Sequence, residues 1–96
     1  FTLYHASGQK QIYTSSQLSQ NSWNHIAVTY DGTDANIYVN GRLAKTATFG
    51  TISIVNTTDS LYIGQDHTSP TPTFFKGRMD EIKIWNVALT ADQIYS

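Results

Sequence analysis

The sequence predicts an all-β fold, an antiparallel jelly-roll-like sandwich of about seven or eight short strands, from three observations. Apolar residues alternate with polar ones through most of the chain, with the period of two that a half-buried strand requires. The alternating runs are short and broken by Gly, Asn and Asp at turn positions. Composition agrees: Ser and Thr are plentiful, Tyr outnumbers Phe by 6 to 4, and only 14% of residues are charged. Ninety-six residues make a single domain, taken as 1–96.

In chain order, Phe1–Tyr4 and Lys10–Thr14 read as two strands joined by a turn at Ser7-Gly8, and Ser15–Ser22 as a polar loop. Trp23–Tyr30 is the clearest strand. Ile26, Val28 and Tyr30 share one face and Trp23, His25, Ala27 and Thr29 the other. Both faces are partly apolar, which places this strand centrally in its sheet. Asp31-Gly32 ends it as a turn. Ile37-Tyr38-Val39 then runs into Asn40-Gly41, the strongest hairpin signal in the chain, because a type I′ turn needs positive φ at both central positions. Arg42–Thr48 is the returning strand.

Further on, Phe49–Ser60 is less regular, with one short strand around Ile52–Ile54. Leu61-Tyr62-Ile63 reads as a strand closed by Gly64, and Gln65–Thr73, which holds both prolines, as a loop. Phe74–Trp85 is the longest extended run. Its alternation slips between Met79 and Ile82, and a β-bulge near Asp80-Glu81 would restore it. Thr90 and Gln93 have capping-box spacing and open one short C-terminal helical turn with Leu89, Ile94 and Tyr95 as its apolar contacts.

Several functional classes are disfavoured on composition and spacing. A net charge of −1 gives no reason to expect nucleic acid, and no apolar run is long enough for a membrane span. There is no cysteine, so no disulfide framework. His5, His25 and His67 lack zinc-type spacing. Glu81 is the one Glu, and it adjoins Asp80, whereas a glycosidase needs two carboxylates facing each other across the sugar. The expectation is therefore no enzyme, with Glu81 hydrogen-bonded to a neighbouring strand's polar group, His25 being the partner its chemistry suggests.

Three runs together resemble the laminin-G-like domains of the concanavalin A-like lectin/glucanase superfamily. They are Trp23-Asn24-His25-Ile26-Ala27-Val28-Thr29-Tyr30-Asp31-Gly32, then Ile37-Tyr38-Val39-Asn40-Gly41, then Phe75–Trp85 continuing to Asn86 and Ala88-Leu89-Thr90. The resemblance spans about Phe1 to Ile94 and implies the C-terminal two-thirds of such a sandwich, lacking its N-terminal strands. Open strand edges would then be covered by the remainder of the polypeptide or by a second chain.

The resemblance also implies an extracellular or cell-surface binding or adhesion module recognising a glycan or a protein. Alternatives are a structural component of an extracellular assembly, or an accessory carbohydrate-binding domain of a larger enzyme. It implies a structural Ca²⁺ with Asp80 as a ligand, and the Gly64-Gln65-Asp66 run suggests Asp66 as a second. Calcium asks for six to eight oxygens, many of them backbone carbonyls. Loops at the ends of sandwiches commonly carry recognition, so the loop from Asp66 to Phe74 and the turn from Asp31 to Ala35 are candidates. Tyr38, Tyr62, Asp66 and His67 are the expected ligand-binding residues. Trp23 and Trp85 have the flat faces that stack on sugars, but the resemblance assigns both to packing.

Overall fold

The computed structural model describes residues 1–5, 8–15, 18–52, 63–66 and 73–95. These carry seven strands and one helix: β1 (Thr2–His5), β2 (Gly8–Gln11), β3 (Ile26–Tyr30), β4 (Asp34–Val39), β5 (Arg42–Thr48), β6 (Gln65–Asp66), β7 (Thr73–Phe74) and α1 (Ala91–Tyr95). All pairings are antiparallel. They form a β1-β2 hairpin, a three-stranded sheet in the order β3-β4-β5, and a β6-β7 pair.

The three-stranded sheet follows directly from local turn chemistry. Asp31 Oδ1 accepts the amides of Thr33 and Asp34 at 2.9 and 2.7 Å, which folds the β3–β4 connection. Asn40 and Gly41 both take positive φ, 52° and 80°, as a type I′ hairpin demands. Registers Ile26↔Val39, Val28↔Ile37 and Tyr30↔Ala35 put these six residues on one face. On the opposite face Thr29, Asn36 and Thr46 make a polar row: Thr46 Oγ1 donates to Asn36 Oδ1 at 2.7 Å and Asn36 Nδ2 to Thr29 Oγ1 at 3.5 Å. One bulge, where Ile37 pairs Lys45 and Tyr38 pairs Leu43, leaves Ala44 without an opposite number.

Packing supplies the second layer. Ile12, just past β2, joins Ala35, Ile37 and Phe49 in the buried cluster, with Tyr30, Val39, Ala47 and Ile52 against it. The ladder of the first hairpin continues to Ile12, whose amide donates to the Phe1 carbonyl at 2.9 Å. The hairpin thus brings an apolar side chain onto the inner face of the sheet, and burying an Ile there contributes about 1.5–3 kcal/mol. Phe49 is fixed from the turn: its amide and that of Gly50 donate to the Thr33 carbonyl at 2.9 and 3.0 Å. Tyr30 Oη donates to the Gly50 carbonyl at 2.8 Å, and its ring meets Phe49 at 6.0 Å.

Four expectations are corrected among the described residues. The second strand begins at Gly8 rather than Lys10, because pairing of His5 with Gly8 sets its register, and it ends at Gln11. β3 starts at Ile26 rather than Trp23, and β4 is its one ladder partner among the described residues. The supposed loop from Gln65 to Thr73 contributes both its ends to a strand pair, β6 with β7. Finally, the extended run Phe74–Trp85 has only Phe74 in a strand. Met79, Ile82, Ile84 and Trp85 stand exposed beyond it, with no ladder partner among the described residues. Periodicity records which face a residue suits, but pairing needs a second strand in reach. The strand expected at Leu61-Tyr62-Ile63 falls mostly outside the described residues, and Ile63 is in a bend. The one around Ile52–Ile54 also falls mostly outside them.

The capping box at α1 is formed as expected. Thr90 Oγ1 accepts the Gln93 amide at 3.3 Å and Gln93 Oε1 accepts the Thr90 amide at 2.9 Å. The helix packs on β5 with Ile94 buried.

Candidate functional site

The β4–β5 turn does more than reverse the chain. It extends the β3–β4 ladder by one pair beyond Ile26: the His25 amide donates to Asn40 Oδ1 at 2.8 Å and the Asn40 amide to the His25 carbonyl at 2.7 Å. The other side of the Asn40 amide, Nδ2, donates to Asn24 Oδ1 at 3.5 Å. Asn24 Nδ2 in turn donates to the carbonyls of Ser19 and Ser22, at 2.9 and 3.2 Å. Turn and strand entry are thereby clamped to each other and to the preceding loop.

Opposite them stands the C-terminal segment. Glu81 takes φ 56°, the left-handed region that a non-glycine residue enters only at a cost, and its amide donates to Asp80 Oδ1 at 2.8 Å. The kink turns the Asp80-Glu81 pair towards the β3 entry. Between the two lies a cleft of about 390 Å³, open to solvent and lined by Trp23, Asn24, His25, Asn40, Asp80 and Glu81. Its size falls within the range of small-ligand sites. Trp23 is 67% exposed, so the packing role the resemblance assigns it does not describe this structure. Trp85 is exposed as well.

The wall is rich in hydrogen-bonding groups: an imidazole, two carboxamides and two carboxylates. Glu81 Oε2 lies 3.9 Å from Lys83 Nζ across a solvent-exposed gap. The expected partner of Glu81, His25, shares the cleft with it.

The expected site residues fare differently. Asp80 lines the cleft. Tyr38 is not among its lining residues and is buried in β4, 7% exposed. Tyr62, His67 and the side chain of Asp66 lie outside the described residues. For calcium, no three His, Asp or Glu side chains converge among the described residues. Asp80 offers one carboxylate, and its Oδ1 is already engaged by the Glu81 amide.

Asn24 and Asn40 are the cleft residues the sequence reading passed over. The signal was present in the hairpin register, which carries the residue before Ile26 opposite the one after Val39. The opposite end of β3 holds the Asp31 turn, where the amides of Asp34 and Thr33 hold the Asp31 carboxyl below the usual carboxylate range.

Comparison with known proteins accords with this architecture. A laminin G-type family model, described as the concanavalin A-like lectin/glucanases superfamily, matches residues 1–95. No curated protein matches the chain. Among solved structures, an S-layer domain-containing protein from Clostridium thermocellum superposes with a TM-score of 0.71 at 30% sequence identity. That match covers 93% of this chain and 45% of the other, so the chain spans less than half of its structural neighbour. The three-stranded sheet, the hairpin packed on its inner face and the near full-length match together establish that the chain belongs to the concanavalin A-like lectin/glucanases superfamily, in its laminin G group.

Proposed function

We propose that this chain is a non-catalytic extracellular binding module that holds a glycan in the cleft beside Trp23. The carrying observation is an exposed indole at the lip of a cleft whose other lining side chains all bear amide, imidazole or carboxylate groups. A pyranose ring presents an apolar C–H face and a rim of hydroxyls. The indole suits the first, and the mixed donors and acceptors suit the second. Similarity to an S-layer domain-containing protein supports a surface setting.

Two features favour binding over hydrolysis. Asp80 and Glu81 are chain neighbours, and Asp80 Oδ1 accepts the Glu81 backbone amide. The Glu81 side chain is 79% exposed, in the water from which the acid of a glycosidase is shielded.

The test is a glycan array followed by fluorescence titration of the best hits. Trp23→Ala is expected to weaken binding at least tenfold, while Trp85→Ala leaves it within twofold. An array with no hits, or binding indifferent to Trp23→Ala, would remove the proposal.

A further inference from the structure

Charge sets the cleft beside Trp23 apart from a site for any sugar. Two carboxylates, Asp80 and Glu81, line it together with the Trp23 indole. Carboxylates attract a cation directly, and an indole face attracts one through its quadrupole, so the two kinds of group favour the same ligand charge. Asn24 and Asn40 contribute neutral carboxamides that leave this bias standing. A cationic His25 imidazole would still leave two lining carboxylates against one positive ring.

The two carboxylates differ in how they are held. Asp80 Oδ1 accepts the Glu81 amide at 2.8 Å, which fixes the carboxylate against the backbone while its negative charge remains. Glu81 Oε2 meets Lys83 Nζ at 3.9 Å, with the two side chains 79% and 63% exposed. A pair this solvated is weak, and a ligand ammonium can take the lysine's place without burying an unpaired charge. A pyranose whose C2 bears an ammonium group offers what these side chains suit: a C–H face for the indole, hydroxyls for the carboxamides and a cation for the carboxylates. An N-acetylated ring lacks the cation, and a uronate carries the opposite charge.

We infer that the ligand of this cleft is an amino sugar with a free ammonium group, bound by Asp80 and Glu81 with its ring on Trp23. This inference rests on the glycan reading of the cleft and adds the class of sugar.

Three β-1,4-linked tetrasaccharides that differ only at C2, as ammonium, hydroxyl or acetamide, separate the inference from that reading. Their affinities are measured by isothermal titration calorimetry near pH 6 in low salt. One contact of opposite charges at about 4 Å in water and one exposed cation–π contact together amount to about tenfold in affinity, the advantage expected for the ammonium form over the hydroxyl form. Salt of about 1 M, where the Debye length is about 3 Å, should cut that advantage several-fold. Asp80→Asn, which keeps the acceptor for the Glu81 amide, and Glu81→Gln should each lower it, and the double variant should bring it within twofold of unity. Asp92→Asn, on α1 and not among the lining residues, should leave it unchanged. If the three forms bind equally and all weaken in Trp23→Ala, the glycan reading stands and the amino-sugar inference falls. No binding of the ammonium form overturns the inference whatever the array shows, and so does an advantage that survives the double variant. Tetralysine, a cation without a sugar ring, should bind more weakly; equal binding would overturn the assignment to a sugar.

Discussion

Gly41→Ala tests the turn that holds the candidate site together. Gly41 sits at φ 80°, and an alanine there meets the left-handed penalty of about 1–2 kcal/mol. A Cβ at this position would also lie 2.9 Å from Cδ2 of Tyr95. Tyr95 is 76% exposed and its ring can swing clear, so the overlap adds little beside the backbone term. For a chain of this size, about 1–2 kcal/mol corresponds to a fall in Tm of about 5–15 °C. The assay is a thermal melt followed by circular dichroism, with Tyr95→Ala and the double variant alongside. Because the penalty is chiefly in the backbone, the double variant should keep most of the deficit of Gly41→Ala. A melt within a degree or two of the parent would refute the reasoning, and full recovery in the double variant would transfer the effect to the ring. Asn40 adjoins Gly41 and bonds both Asn24 and His25, so glycan affinity should fall with the same variant.

The other expectations concern single contacts. Asp31 has a folded pKa lowered from the ordinary carboxylate value by the amides of Asp34 and Thr33, so its stabilising effect is full above the unfolded pKa and is lost as pH falls through the lower folded one. Asp31→Ala should therefore shrink the difference between urea midpoints measured near neutrality and in strong acid, and an unchanged difference would mean the turn bonds do not favour the carboxylate. Thr90→Ala removes the acceptor for the Gln93 amide and should cost about 1 kcal/mol, seen as faster amide exchange at Ile94. A thermal melt with and without chelator tests the calcium site that the resemblance implies at Asp80. A drop of several degrees would support that site and an unmoved Tm would remove it, because a ligand that binds only the folded state raises its stability.

Much of the central sheet was legible because its determinants are local. Asp31 folds its turn with its own carboxylate, and Asn40-Gly41 selects a hairpin through backbone angles these two residues tolerate. Thr90 and Gln93 likewise satisfy each other across one helical turn. The pairing of β3 with β4 alone among the described residues was not legible. Apolar residues on both of its faces read as centrality, but a strand's place depends on which other strands reach it, and alternation says nothing of that. The same limit hid the extent of strand after Phe74, where Ile82 and Ile84 keep strand periodicity with no ladder among the described residues.

Sequence by itself determined an all-β chain, the turns of its central hairpins, the helical cap and the three runs that mark the superfamily. Tertiary structure alone decided that Tyr38 is buried and Trp23 exposed, and that residues 23–25, 40 and 80–81 share one cleft. Turn geometry is a property of neighbouring residues, which a sequence states outright. A cleft is a property of segments brought together by packing, and one strand register or one left-handed residue such as Glu81 determines which side chains meet there.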